Sequence, residues 1–256
     1  MAPWPWARAT TGAFIGARNL AAYQSIRRWL VHDGALYAAV SNEAGGGRIL
    51  RWTGTESAPF AFAEVGVTDA PAVEIAAHNG RLYVGTWADR NADNPPPAGL
   101  WMSPTVPAGG LTAANVNGWQ KVWDVGNYEP DTVIRGLYGM GAMASYGGYL
   151  YWGTMHSPAA AFSALVKRYN IGTLGIATAF FNGWRASALF RAADPGTSAG
   201  VELLYGEANL PVFVSPFLGG IWTYRPNKMN GVAGKYGKSG FGNLYNNYTW
   251  TMAVYK

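Results

Sequence analysis

The chain contains no cysteine. That absence excludes disulfide frameworks, thiolate zinc sites, iron–sulfur ligation, c-type haem attachment and thiol catalysis together. Charge is also scarce: Asp, Glu, Lys and Arg make up 13% of the 256 residues, against roughly 25% in an ordinary soluble domain. No window approaches the ~18 consecutive apolar residues of a membrane-spanning helix. The opening Met1-Ala-Pro-Trp-Pro-Trp-Ala-Arg8 lacks a basic segment followed by an apolar one, so a signal peptide is either absent or already removed. Apolar residues, by contrast, make up 49% of the chain, alongside 34 glycines, 12 tryptophans and 15 tyrosines. Such a composition builds a large core and excludes a disordered chain. The net charge of +5 is dispersed, and its single local enrichment, Arg225, Lys228, Lys235 and Lys238, reads as a solvated loop rather than a nucleic-acid surface.

A repeat organises what is present. Asp33-Gly-Ala-Leu-Tyr-Ala-Ala-Val-Ser41 recurs as Asn79-Gly-Arg-Leu-Tyr-Val-Gly-Thr-Trp87 and as Gly147-Gly-Tyr-Leu-Tyr-Trp-Gly-Thr-Met155, with a weaker copy at Val201-Glu-Leu-Leu-Tyr-Gly-Glu207. The tyrosines fall at Tyr37, Tyr83, Tyr151 and Tyr205. Asp-Gly, Asn-Gly and Gly-Gly supply the positive φ angles of a type I′ turn, so each copy predicts a hairpin. Apolar segments at 26–31, 73–77 and 140–144 are the first strands. Third strands are expected at 47–52, 99–102 and 164–169, and fourth strands at 60–65 and 119–125. Four short antiparallel strands per repeat of roughly 45 to 55 residues is the pattern of a β-propeller blade.

The Asn79-Gly-Arg-Leu-Tyr-Val-Gly-Thr86 motif resembles the blade hairpin of bacterial β-propeller repeat proteins, in the broad sense that spans kelch-like, YVTN-like and quinoprotein-like repeats. The resemblance specifies no subfamily and carries over no catalytic residue. The expected fold is an all-β propeller in a single domain over 1–256, with approximate blades at 12–66, 67–126, 127–181 and 182–238. The segment 239–256 resembles the lead-in to the first copy, residues 11–32, and predicts the start of a fifth blade that stops inside a hairpin. An inner strand without its partner leaves backbone groups unpaired. The expectation is therefore an incomplete ring, covered by further blades or by a protein partner. Closure of the ring by these two termini is the rival, and a native mass near 27.4 kDa would favour it.

Few residues suggest chemistry. His32 and His78 occupy one repeat position before the turn, which points to packing. His156 differs, following the strand end at Met155 where a connection opens on a propeller face, and it is a candidate base or ligand. The loop from Trp87 to Gly99 contributes Trp87, Asp89 and Arg90 as ligand-binding candidates, with Met155 and His156. Asp89, Asn91 and Asp93 have the spacing of calcium-ligating oxygens, but Asn94 and Leu100 stand where glycine and glutamate are needed. No metal or cofactor is therefore assigned, calcium being the one considered. Glu129 and Asp131, with Arg135 nearby, form the one close acidic pair, a weak catalytic candidate. Trp87, Tyr128 and Tyr138 are read as exposed aromatics able to stack on sugar rings or a partner's side chains. Asn247-Tyr-Thr249 is a glycosylation triplet inside an expected inner strand.

Three functions follow in order of support. The first is a non-enzymatic propeller scaffold or binding module, engaging a partner protein or polymer through loops on one face. The second is a hydrolase or lyase acting on a carbohydrate or other small polar substrate. The third is a quinone- or metal-dependent oxidoreductase. Composition resembles exported bacterial propellers and favours a periplasmic or extracellular location.

Overall fold

The computed structural model describes residues 23–42, 44–59, 61–88, 95–197, 200–215 and 220–255, with Gln24 and Ser25 as backbone only. The described chain is mostly β, in four antiparallel sheets. The first contains β1 (Tyr23–His32), β2 (Ala35–Asn42), β3 (Gly47–Trp52) and β4 (Phe62–Thr68) in chain order. The second repeats that order with β5 (Ala72–His78), β6 (Arg81–Thr86), β7 (Gly99–Met102) and β8 (Gln120–Asp124). The third does so again with β9 (Tyr138–Tyr146), β10 (Tyr149–His156), β11 (Leu189–Ala192) and β12 (Glu202–Tyr205). A two-stranded hairpin, β13 (Asn209–Ser215) with β14 (Ile221–Pro226), follows. By packing the chain divides into two compact units, 1–89 with 101–120 and 90–100 with 121–256.

The turn dipeptides set the registers. Asp33 and Gly34, Asn79 and Gly80, and Gly147 and Gly148 all have positive φ, between 47° and 79°. That is the backbone a two-residue type I′ turn requires, and it joins β1 to β2, β5 to β6 and β9 to β10 with His32 opposite Ala35, His78 opposite Arg81 and Tyr146 opposite Tyr149. Within the first unit, strand alternation then sorts side chains between two clusters. Ala35, Tyr37 and Ala39 of β2 join Ile49, Val65, Ile75, Leu82, Val84 and Trp119 in one. Ala38 and Val40 join Tyr23 and Leu50 in the other. The sheet is therefore buried on both faces, and a one-residue register slip would exchange its two packing surfaces.

The connection after β7 is fastened to the first sheet by polar contacts. The Trp119 indole N–H donates to the Val65 carbonyl at 2.8 Å, and its ring lies where a Cβ on Gly66 would overlap it. The Leu111 amide donates to the Tyr37 hydroxyl at 3.0 Å, and Arg51 donates to the Leu111 carbonyl at 3.0 Å. In the second unit the core is aromatic: Trp123 of β8, Trp152 of β10 and Phe190 of β11 meet with ring centroids 4.8 to 5.9 Å apart.

Several expectations from the repeat need correction. Residues 164–169 are not a third strand. They end α1 (Pro158–Tyr169), and α2 (Ile176–Gly183) follows before the third strand forms at β11. Helical signals override the repeat there: Pro158 at the first position, the Ala-rich run, Ala161 and Leu165 buried four residues apart, and Asn170 in the left-handed conformation that ends the helix. The Leu-Tyr of 201–207 belongs to β12, the fourth strand of the third sheet, so Tyr205 is not the counterpart of Tyr37. The third sheet consequently spans 138–205, and the region assigned to a fourth blade holds its last two strands and a single hairpin. Among the described residues of 239–255 there is no strand, only a short 3-10 turn at Ser239–Gly242 and an isolated bridge between Met155 and Tyr248. The lead-in at 11–22 lies outside the described residues.

The C-terminal segment instead finishes the third sheet. Residues 235–237 run along the outer edge of β12, with the Lys235 and Tyr236 amides donating to Leu203 and Leu204 and Gly206 donating to Gly237. That covers an edge which would otherwise expose a row of backbone groups. Further on, Thr249 sits where a Cβ on Gly141 or Gly153 would overlap it, exchanging backbone bonds with Ala142 and Thr154. The glycosylation triplet thus ends on a threonine seated in a glycine notch of the sheet.

Candidate functional site

The acidic pair marks a buried polar centre in the second unit. Glu129 follows the 3-10 turn after β8, and its carboxylate is bridged by Arg185 from the segment after α2: Nε donates to Oε2 at 2.7 Å and Nη2 to Oε1 at 3.2 Å. Both side chains are almost wholly buried, 0% and 3% exposed. Tyr138 at the start of β9 donates its hydroxyl to Glu129 Oε2 at 3.1 Å, and the Asp131 amide donates to Oε1 at 3.0 Å. Arg185 directs its remaining donors to the carbonyls of Asn182, Trp184 and Pro211, so the pair ties the end of α2 to β9 and β13.

Asp131 is occupied differently. Its Oδ1 accepts the amides of Val133 and Ile134 and the Tyr169 hydroxyl, and its Oδ2 accepts the Phe213 amide at 3.0 Å. It binds the two amides at the start of the turn at Ile134–Leu137 and holds Tyr169 of α1 and Phe213 of β13 to it. The Tyr169 ring stacks on Phe213 with centroids 4.2 Å apart. Two carboxylates two residues apart are thereby committed to separate partners: one to a guanidinium, the other to backbone amides and a phenol.

These environments move the phenols. Burial, aided by the Asp131 carboxylate, pushes Tyr169 up to about 12. Burial also raises Tyr138, with Glu129 adding to it, and raises Tyr128, whose hydroxyl accepts the Glu207 amide. Burial by itself would lower Arg185, and the Glu129 carboxylate more than reverses that. A phenol raised from 10.0 in the folded state contributes stability that is fully present below pH 10 and lost as pH rises through about 12. An alkaline titration followed by tyrosinate absorbance should show the exposed tyrosines ionising first, and Tyr128, Tyr138 and Tyr169 only together with unfolding. A single wave of all fifteen with the fold retained would refute that grouping.

His156, at the end of β10, is buried, its ring tilted 5.1 Å from Tyr138 and its amide donating to Asn247. The structure therefore brings His156 and Glu129 to Tyr138, inside the protein, while Asp131 is engaged by Tyr169 and backbone amides. Met155 is buried beside them in sequence, and Arg135 is exposed. Tyr128 and Tyr138, read as exposed stacking rings, are 1% exposed: the Tyr138 hydroxyl is tied to Glu129, and Tyr128 packs edge-on against Phe190 with its hydroxyl accepting the Glu207 amide. Trp87, in the first unit, is half-buried beneath the Arg27 guanidinium, 4.1 Å from its ring centroid. Burial raises the nearby Glu74 carboxyl, against the pull of Arg28 and Arg27. Asp89, Arg90, Asn91 and Asp93 lie outside the described residues. Among the described residues no group of three or more His, Asp and Glu is gathered as for a metal ion.

Sequence reasoning missed Arg185, although a lone charge in Phe180-Phe-Asn-Gly-Trp-Arg-Ala-Ser-Ala-Leu-Phe190 is the usual mark of a buried ion pair. It also missed two cavities in the second unit. One of about 690 Å³ lies between Trp123, Glu202, Lys228, Asn230 and Lys235. The other, about 530 Å³, is walled by Tyr146, Tyr151, Tyr205, Tyr236 and Tyr255 with Leu189 and Met252. Neither is lined by His156, Glu129 or Asp131. No protein-family model, curated protein or solved structure matches the chain.

Proposed function

We propose that the chain is a binding module built from β-propeller-type blades, engaging a partner protein or polymer through the connections between second and third strands. One observation carries this reading. Three successive sheets have the same four-strand order, and in each the same connection differs in length: residues 43–46 in the first, 87–98 in the second and 157–188 in the third. A common frame in which this connection varies most in length is the arrangement of a scaffold that presents loops. The candidate ligand residues of the sequence, Trp87, Asp89, Arg90, Met155 and His156, fall in or beside that connection. Export to the periplasm or beyond belongs to the same proposal and rests on composition.

The hydrolase reading is the weaker one. Its best carboxylates are occupied by Arg185 and by backbone amides, and a general acid or base has to reach its substrate. Both readings are separated by assaying the full chain on nitrophenyl glycosides and esters, and by probing it on an array of immobilised polysaccharides. The binding reading expects polysaccharide retention weakened by Trp87→Ala, without turnover. Turnover abolished by His156→Ala in a folded variant would overturn it.

A further inference from the structure

The long connection of the third sheet is unlike its counterparts in chemistry as well as in length. From Tyr169 to Trp184 it contains no charged residue. The polar side chains of α2 are only Thr178 and Asn182, one turn apart; beside them it exposes Ile176, Ala177, Phe180 and Phe181, while Ala179 and Gly183 face the protein. Leu174, in the turn before it, is 85% exposed and Phe181 is 69% exposed. An uncharged helix that leaves two phenylalanines and an isoleucine exposed carries an apolar stripe of the kind that is ordinarily covered. The patch continues onto Leu244 and Tyr245, both exposed, where the Trp184 indole donates to the Leu244 carbonyl at 3.0 Å and its ring meets Tyr245 edge-on. Tyr and Trp with an apolar body and a polar tip suit a boundary between hydrocarbon and water.

Charge is distributed to match. Residues 132–256 hold ten Lys and Arg but only three acidic residues, Asp194, Glu202 and Glu207, whereas residues 1–131 hold nine against eleven. The whole net positive charge therefore comes from the part that bears the patch. From 132 to 193 there is no acidic residue, and Lys167 and Arg168 form the last turn of α1, immediately before the uncharged stretch. No helix of the described residues is long and apolar enough to cross a membrane. An exposed apolar stretch that follows two cations in sequence, with no carboxylate from 132 to 193 around it, has the composition of an element that lies in the interface of an anionic bilayer.

We infer that the α1–α2 insert docks the protein on anionic lipid surfaces, with Leu174, Ile176, Phe180 and Phe181 entering the headgroup boundary and Lys167 and Arg168 meeting lipid phosphates. Apolar insertion supplies affinity for the bilayer and the cations supply its preference for negative charge. The insert is itself one of the three proposed binding connections, so the docking extends that reading; polysaccharide retention through Trp87 and flotation are measured separately, and either can fail without the other.

Flotation of the full chain with vesicles of phosphatidylcholine alone, or mixed with phosphatidylglycerol, tests it. The chain should float with the mixed vesicles, and raising salt should release it. Leu174→Asp with Phe181→Asp, both at exposed positions and checked for an unchanged melting temperature, should weaken flotation roughly tenfold or more. Arg168→Glu should weaken it on mixed vesicles alone. Absence of binding to phosphatidylglycerol, equal binding to both vesicles without salt dependence, or flotation unchanged by the double substitution would each overturn the inference. So would an apolar patch that mediates only self-association, seen as a concentration-dependent dimer that the double substitution abolishes while flotation stays intact.

Discussion

Arg185→Ala should lower the free energy of unfolding by about 3–5 kcal/mol, as expected when one partner of a buried ion pair is removed. The mechanism is specific. Glu129 would remain at 0% exposure with its guanidinium gone, and the carbonyls of Asn182 and Pro211 would lose donors in the same step. Desolvation of an unpaired carboxylate, more than loss of attraction, sets the size of the effect. A double variant, Arg185→Met with Glu129→Leu, should therefore be less damaging than Arg185→Ala, since it removes both charges and keeps most of the volume. Urea unfolding followed by fluorescence and circular dichroism measures this. A loss below about 1 kcal/mol, typical of an exposed pair, would mean that the centre is hydrated rather than dry.

Trp119→Ala should cost a similar amount, about 3–5 kcal/mol, through a different route. The indole occupies the space left by Gly66, and its N–H is the donor to the Val65 carbonyl. Truncation leaves a cavity the size of a bicyclic ring and an unsatisfied carbonyl. Trp119→Phe separates the two terms: it fills most of the cavity and should retain a residual loss of about 1–3 kcal/mol from the carbonyl alone. The two sites share no partner, so the effects of Trp119→Ala and Arg185→Ala should add in the double variant. Hydrogen exchange localises each loss, with Trp119→Ala loosening β2 to β4 and Arg185→Ala loosening β9 and β13. A Trp119→Ala variant as stable as the parent would show that the 103–119 connection is not part of the core.

Much of this frame was legible in the sequence because its signals are local. A turn dipeptide with positive φ needs Asp-Gly, Asn-Gly or Gly-Gly whatever surrounds it, so the three hairpins around Gly34, Gly80 and Gly148 follow from short-range chemistry. The helical insert was hidden by the repeat itself: Leu165 and Tyr169 fit a strand template by alignment, although Pro158, the alanines and Asn170 argue for a helix on their own terms. The Leu-Tyr of β12 shows the converse error, since a two-residue likeness without a turn dipeptide ahead of it is no repeat. The site was legible only as a set of unusual residues. Glu129 and Asp131 were recognisable as paired, but their partners Arg185, Tyr138, Tyr169 and the Phe213 amide come from separate segments, and only the fold decides that they are used for cohesion.

The proposed function rests on a proposal that the three four-stranded sheets are successive blades about one axis. The absence of cysteine makes a direct test simple, because spin labels can be placed in pairs without removing any native thiol. Val31, Ala77 and Ser145 occupy equivalent positions, each two residues before the turn that follows a first strand. Dipolar distance measurement between labelled cysteines there should give nearly equal distances for the 31–77 and 77–145 pairs, and a 31–145 distance clearly shorter than their sum. Unequal neighbouring distances, or a 31–145 distance equal to the sum as in a straight stack, would contradict the propeller account.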